Sequence, residues 1–458
     1  MAQYETLAAF SKHGAELLYK DDPLLYQLLE REYHRQADTL TLMASASLAD
    51  PSVLACEGTS ISNVTTEGYP GARFHAGCQL ADDIERLAIQ RAKAAFQARY
   101  ANVQPHSGTS ANLAVIFGLL RPGATILGMG LDSGGHLTHG ARASVTGQYY
   151  KGVSYTVDGS GFINYDQVHS LAKEHRPDLI ICGASAYPRV LDFKRFRAIA
   201  DDVKALLLAD VSHIAGLIVA GEHPNPIDDA HITTTSTYKQ LNGPRGGLIL
   251  MGKDSDSIAP TGKTTLAQAI DHAIFPFFQG TPSLSVIAAK ARALAIVLTP
   301  AFKMLASQIV INARVLADYL VAHGYRILTG GSDTHLVLMD VSANGLTGAI
   351  AQCALEKCAI IVNKNKIPGD RKRASITSGL RLGTNCATLR GLGENEMLEC
   401  AELLHRTLTS VTAIGEDDYD LPDSIRRKVQ HDVLCLCRRF PIPRYPDDRL
   451  ISAISVPH

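Results

Sequence analysis

The sequence predicts an α/β fold: a large domain built on a mostly parallel sheet, followed by a smaller C-terminal α/β domain. Three observations predict it. From about residue 85, segments with helical apolar spacing alternate with short, wholly apolar runs. Those runs are bounded by Gly, Pro or Asp, as expected of strands covered on both faces. At 458 residues and 46% hydrophobic content, the chain has enough apolar side chain for more than one core.

Taken in order, the first 30 residues read as a helical arm (1–30), residues 31–298 as the large domain and residues 299–458 as the small one. "DIERLAIQRAKAAF" has helical spacing. "ATILGMG", "DLIICGAS", "ALLLADVSH" and "GGLILMG" read as buried strands. A long helical stretch runs from "SLSVIAAKARALAIVL" through Pro300 to "VLADYLVAHG". Beyond it "YRILTGG", "HLVLMDV", "AIIVNKN" and "GLRLGT" supply fewer strands. In such folds ligands bind in the crevice beyond the carboxyl ends of the strands, so the residues ending these runs carry the functional argument.

Composition excludes several classes. The net charge is −1 and no Lys/Arg cluster carries interleaved aromatics, so a nucleic-acid partner is not expected. No run of 18 apolar residues and no secretory leader pattern is present, so a cytoplasmic protein without a membrane span is expected. Nine cysteines without a CxxC or zinc-type spacing are expected to be reduced core residues, and no metal site is expected.

Three strand ends and loops carry chemistry. In "PHSGTSAN", Ser107, Gly108 and Thr109 open an apolar helix. Small residues at a helix N-terminus suit an anion such as phosphate, and equally suit an ordinary cap. The strand "ALLLAD" ends at Asp210, shortly before His213; a carboxylate there can keep a pyridinium nitrogen protonated, or be merely structural. In "TTTSTYKQLNGPRGG", Lys239 sits among hydroxyls before a glycine-rich turn. A lone lysine there is commonly a solvated residue. With an anion site and a ring-protonating carboxylate upstream, it reads instead as a Schiff-base lysine for pyridoxal 5′-phosphate (PLP).

These stretches, with "EGYPGARFHAGC", "GGHLTHG", "ADVSHIAGLIVAG", "VNKN" and "TSGLRLGT", resemble in order the signatures of serine hydroxymethyltransferase, from about residue 20 to 445. The resemblance implies fold-type I of the PLP enzymes, with the aspartate aminotransferase-like architecture. It makes Lys239 the Schiff-base lysine and Asp210 the partner of the pyridine nitrogen. His136 would stack on the ring, with Ser185 and His213 near its phenolic oxygen. Ser107, Gly108 and Thr109 would hold the phosphate with Gly280 of a neighbouring subunit. Ser236 joins the cofactor contacts. Arg381 and Ser45 would bind the substrate carboxylate, and Glu67 would be the acid/base. A homodimer or tetramer with shared sites and an amino-acid substrate is implied.

The chain departs from the family pattern around the substrate. A family glutamate is Ala46, tyrosines are Thr65, Phe74 and His75, the histidine before the lysine is Tyr238, and paired glycines are Phe277 and Phe278. Thr65, Phe74 and His75 are therefore read as substrate contacts, with Tyr238 and His75 added to the catalytic set. These changes weigh against tetrahydrofolate, although Leu131, Leu137 and Asn365 match family positions near it. The expected reaction is at Cα or Cβ of a bulky S-substituted cysteine, by β-elimination or decarboxylation, as in the similar PLP enzymes of lincosamide antibiotic biosynthesis. The alternatives are a glycine/serine hydroxymethyltransferase or aldolase, and a PLP-binding protein without catalysis.

Overall fold

The computed structural model describes residues 5–260 and 262–446. Its centre is a seven-stranded sheet in the order Tyr100–Asn102, Gly247–Met251, Ile232–Ser236, Leu206–Asp210, Leu179–Cys182, Thr125–Met129, Lys151–Tyr155. Gly247–Met251 is antiparallel to both neighbours, and the remaining pairings are parallel. "GGLILMG" reads as a buried strand and is one, and its reversed direction fits the helix-free connection, residues 237–246, that joins it to Ile232–Ser236. A parallel return would need a crossover. Leu179–Cys182, Ile232–Ser236 and Gly247–Met251 are buried along their whole length, Leu206–Asp210 and Thr125–Met129 at all but their first residue, with helices on both faces.

One face is covered by Gln79–Phe96 and Leu284–Val297, whose Ala88, Ala92, Ile287 and Leu294 join a core with Leu207 and Leu250. The other is covered by Gly108–Leu119, whose Val115 and Ile116 pack with Ile181, Leu208 and Ile249. Alternating strand residues therefore feed opposite cores. The expected single helical stretch through Pro300 is two helices, Leu284–Val297 and Pro300–Ala322. Proline at the first helical position has no N–H to place, and the Thr299 hydroxyl caps the new helix by accepting from Phe302 N. Pro300–Ala322 is long and apolar enough to cross a membrane, yet its Phe302, Ile309, Ala313, Leu316 and Leu320 are buried in the protein core.

The C-terminal part holds a four-stranded antiparallel sheet ordered Arg326–Ile327, Leu336–Asp340, Gly379–Gly383, Asn363–Asn365. Leu380 and Leu382 face its core, so Arg381 between them points to the opposite face, toward the large sheet. Two N-terminal helices, Glu5–Asp21 and Pro23–Asp38, bury none of their residues. No disulfide joins any two of the nine cysteines among the described residues. The expectation of core cysteines fails at Cys353 and Cys435, which are exposed on helix surfaces.

Candidate active site

The site begins with backbone geometry. Ser107 caps the helix Gly108–Leu119, its hydroxyl accepting from Ser110 N at 3.0 Å. A side chain on Gly108 would meet Ser236 Cβ at 3.2 Å and Ser212 Oγ at 3.3 Å, so glycine keeps this cradle of N–H groups and hydroxyls open. Ser107, Gly108, Thr109, His136, Ser185, Asp210, His213, Ser236, Tyr238 and Lys239 all line one cavity there.

Asp210 ends its strand inside that cavity, 7% exposed. Burial alone would raise its pKa. Its carboxylate is instead held far below the usual range by His139, with contributions from His136 and Ser212. Oδ2 accepts from Asn112 Nδ2 at 2.8 Å and lies 3.1 Å from His139 Nε2, while Oδ1 accepts from Ser212 N at 3.1 Å. The group is therefore a fixed anion over the whole physiological range. Lys239 is 8% exposed, and burial pulls its ammonium down to about 8 against the opposing pull of Asp210. Burial also lowers His136 to about 4, leaving a neutral ring fixed by a 2.8 Å contact to Thr138 Oγ1. Buried His213 leaves Nδ1 without a partner.

At the rim, Arg381 donates from Nη1 to Ser185 O at 2.6 Å and from Nε to Asn363 Oδ1 at 3.1 Å. It has no carboxylate partner among the described residues, and burial lowers its pKa to about 10. Ser45 lies in an adjoining cavity that shares Tyr238 with the first.

The other expected residues stand elsewhere in the chain. Glu67 Oε1 is 3.7 Å from where a side chain on Gly280 would begin, and Phe74 meets Phe275 with ring centroids 5.6 Å apart. Thr65, Phe74, His75, Phe277, Phe278 and Gly280 are all exposed. None of these, nor Glu67, lines the cavity around Lys239. Leu131 and Leu137 are also exposed, and Asn365 donates to Lys366 O at 2.6 Å.

Three functional side chains escaped sequence reasoning. His139 and Asn112 hold Asp210; "GGHLTHG" displays two histidines, and only the contact with Asp210 distinguishes the second. The third is Lys290, 1% exposed in an apolar helix, where it reads as a misplaced charge. Its ammonium donates to Val103 O at 2.7 Å, Pro105 O at 2.9 Å and Gly247 O at 3.0 Å, which satisfies all three protons. It thereby ties together the strand ends beneath Ser107. Lys290→Met should take this donor from all three carbonyls, at about 1–3 kcal/mol for each one left without another; Pro105 O keeps the Gly247 N–H at 3.0 Å. The expected result is a lower thermal midpoint and weaker PLP uptake by the apoprotein, read by cofactor absorbance.

The arrangement fits PLP. The cradle at Gly108 suits a phosphate, the buried carboxylate suits a protonated pyridine nitrogen, and the unpartnered His213 Nδ1 is a polar atom awaiting a partner. Lys239 supplies an amine with a lowered pKa for the aldehyde. The family model for serine hydroxymethyltransferase matches residues 18–404. The chain is 46% identical over 422 residues to a curated serine hydroxymethyltransferase of Phenylobacterium zucineum (strain HLK1), covering 92% of this chain and 95% of that protein. Site geometry and sequence similarity converge, and the chain belongs to the serine hydroxymethyltransferase family of PLP-dependent enzymes.

Proposed function

We propose that the protein makes or breaks the bond between Cα and Cβ of an amino acid, the hydroxymethyltransferase type of reaction. The observation that carries this reading is Arg381: a guanidinium held at the cavity rim by two hydrogen bonds, with no carboxylate partner among the described residues. An α-carboxylate supplies the missing anion, and Ser45 can add a hydroxyl. Clamping that carboxylate would hold the substrate's Cα in one orientation and so select the bond that reacts. PLP, when bound, supplies a protonated pyridine ring that withdraws electrons from Cα. Asp210 keeps that nitrogen protonated, neutral His136 offers a flat face to the ring, and Glu67 is the candidate proton carrier.

Glu67 and Gly280 sit together but apart from Lys239, and this supports an active site completed by a second copy of the chain. Nine cysteines without a disulfide among the described residues fit a reducing compartment, the cytoplasm.

The specialised reading, a bulky S-substituted cysteine in an antibiotic pathway, is favoured by one observation: beyond Ser45 and Tyr238 lies a cavity of about 400 Å³, far more than a hydroxymethyl group needs. The comparison that separates the two readings is kcat/KM for serine with tetrahydrofolate against S-sugar cysteine derivatives. An advantage for serine of about tenfold or more would establish the hydroxymethyltransferase reaction and discard the specialised one. PLP binding without turnover of either would mark a binding protein.

A further inference from the structure

We infer that the cavity beyond Tyr238 is a subsite for an acidic substrate side chain, with Arg245 as its anchor. The inference rests on the Cα–Cβ reading above and names the substrate class for it.

Tyr238 is the wall between two spaces, lining both the cofactor cavity and the 400 Å³ cavity that also contains Ser45, Ala46, Glu57, Arg245 and Arg390. Lys239 Nζ lies 5.7 Å from the centre of its ring, and Arg245 Cζ lies 4.1 Å from that same centre. The reacting amine and the guanidinium therefore both lie against the Tyr238 ring. A substrate held by its α-carboxylate at Arg381 and Ser45 can reach Arg245 with a side chain a few bonds long.

Charge decides what that side chain carries. Arg245 makes no ion pair among the described residues, and stacking on Tyr238 fixes its plane without neutralising it. The other cations facing the cavity are already engaged. Arg35 forks onto Glu32 at 2.7 Å, and Arg390 donates to the carbonyls of Ala37, Thr39, Cys437 and Phe440. Among the described residues Glu57 is the one carboxylate on the wall, and burial raises its pKa. Ala46 contributes only a methyl group. An unpaired fork over an aromatic ring suits a second carboxylate or a small anion of like geometry, such as a sulfinate.

The test uses the PLP-loaded enzyme and follows the visible absorbance of the bound cofactor during titration with L-aspartate, L-glutamate and L-2-aminoadipate, each against a neutral counterpart: asparagine, glutamine and norleucine. At least one acid should bind about tenfold or more tighter than its counterpart, the ratio expected of a charge-assisted fork. Arg245→Gln should erase that preference and Arg245→Lys should keep part of it, with serine affinity unchanged in both. Equal binding of acids and neutral counterparts, a preference that survives Arg245→Gln, or an equal loss for acids, amides and serine would each overturn the subsite. If no amino acid, serine and glycine included, alters the absorbance, the Cα–Cβ reading has failed and the subsite falls with it.

Discussion

Lys239→Ala is expected to abolish turnover, and borohydride, which should add the mass of reduced PLP to Lys239 in the native protein, should then fix none. Among the described residues the Lys239 amine is the only buried primary amine lining the cavity, and no neighbouring residue there can replace its bond to the aldehyde. The same lysine sets a pH dependence. Only the neutral amine attacks an aldehyde, and burial lowers its pKa from 10.5 to about 8. Uptake of PLP by the apoprotein should therefore accelerate as pH rises through about 8 and level off above it. Stopped-flow absorbance between pH 6.5 and 9.5 measures this, and a rate still climbing at the upper end would show that the lysine is not depressed. The sign for stability runs the same way. A lysine with a lowered folded-state pKa penalises the fold when protonated, so this contribution improves as pH rises from about 8 toward the unfolded value.

Asp210→Asn should retain the fold and lose roughly 10³-fold in kcat, the scale seen when a preorganised charge facing the reacting system is removed. The amide keeps the shape of the side chain but cannot hold a pyridine nitrogen in its protonated state, so the ring becomes a weak electron sink. Some stability is also expected to go, because Asn112 Nδ2 and Ser212 N would share one remaining acceptor where the carboxylate now offers two. Steady-state kinetics together with circular dichroism and cofactor content separates the two effects. Near-native kcat in a PLP-loaded variant would remove Asp210 from the ring-nitrogen role.

Much of the site was legible because its residues occupy positions with a local signature. Asp210 ends an apolar run, Ser107 and Gly108 precede an apolar helix, and Lys239 interrupts a run of hydroxyls. Each can be found by reading a few residues either side. The supporting side chains have no such signature. Asn112 reaches Asp210 across 98 positions, His139 across 71, and Lys290 holds carbonyls that are 185 and 187 positions away. In the sequence they are an asparagine and a lysine in apolar helices and one of two histidines in a loop.

The departures from the family pattern divide in the same way. That Ala46, Thr65, Phe74, His75 and Tyr238 differ is visible in the chain alone, but not which of them share a space. The structure sets Ala46 and Tyr238 on the wall of one cavity with Arg245, and places Thr65, Phe74 and His75 on an exposed surface beside Glu67 and Gly280. Arg245 passed unremarked within "GPRGG", since neither its ring partner nor its lack of a carboxylate can be read from neighbours in sequence.

The sequence by itself determined the α/β class, four of the large sheet's seven strands, the family and the residues that gather in the cavity around Lys239, because apolar periodicity and short motifs express local backbone and helix-end physics. Only the tertiary structure decided the reversed strand Gly247–Met251, the break before Pro300, the engaged or unpaired state of each buried charge, and the separation of Glu67 from Lys239 within one chain. Those depend on which distant atoms meet once water is excluded, and the free energy of a buried charge is set by such partners rather than by its place in the chain.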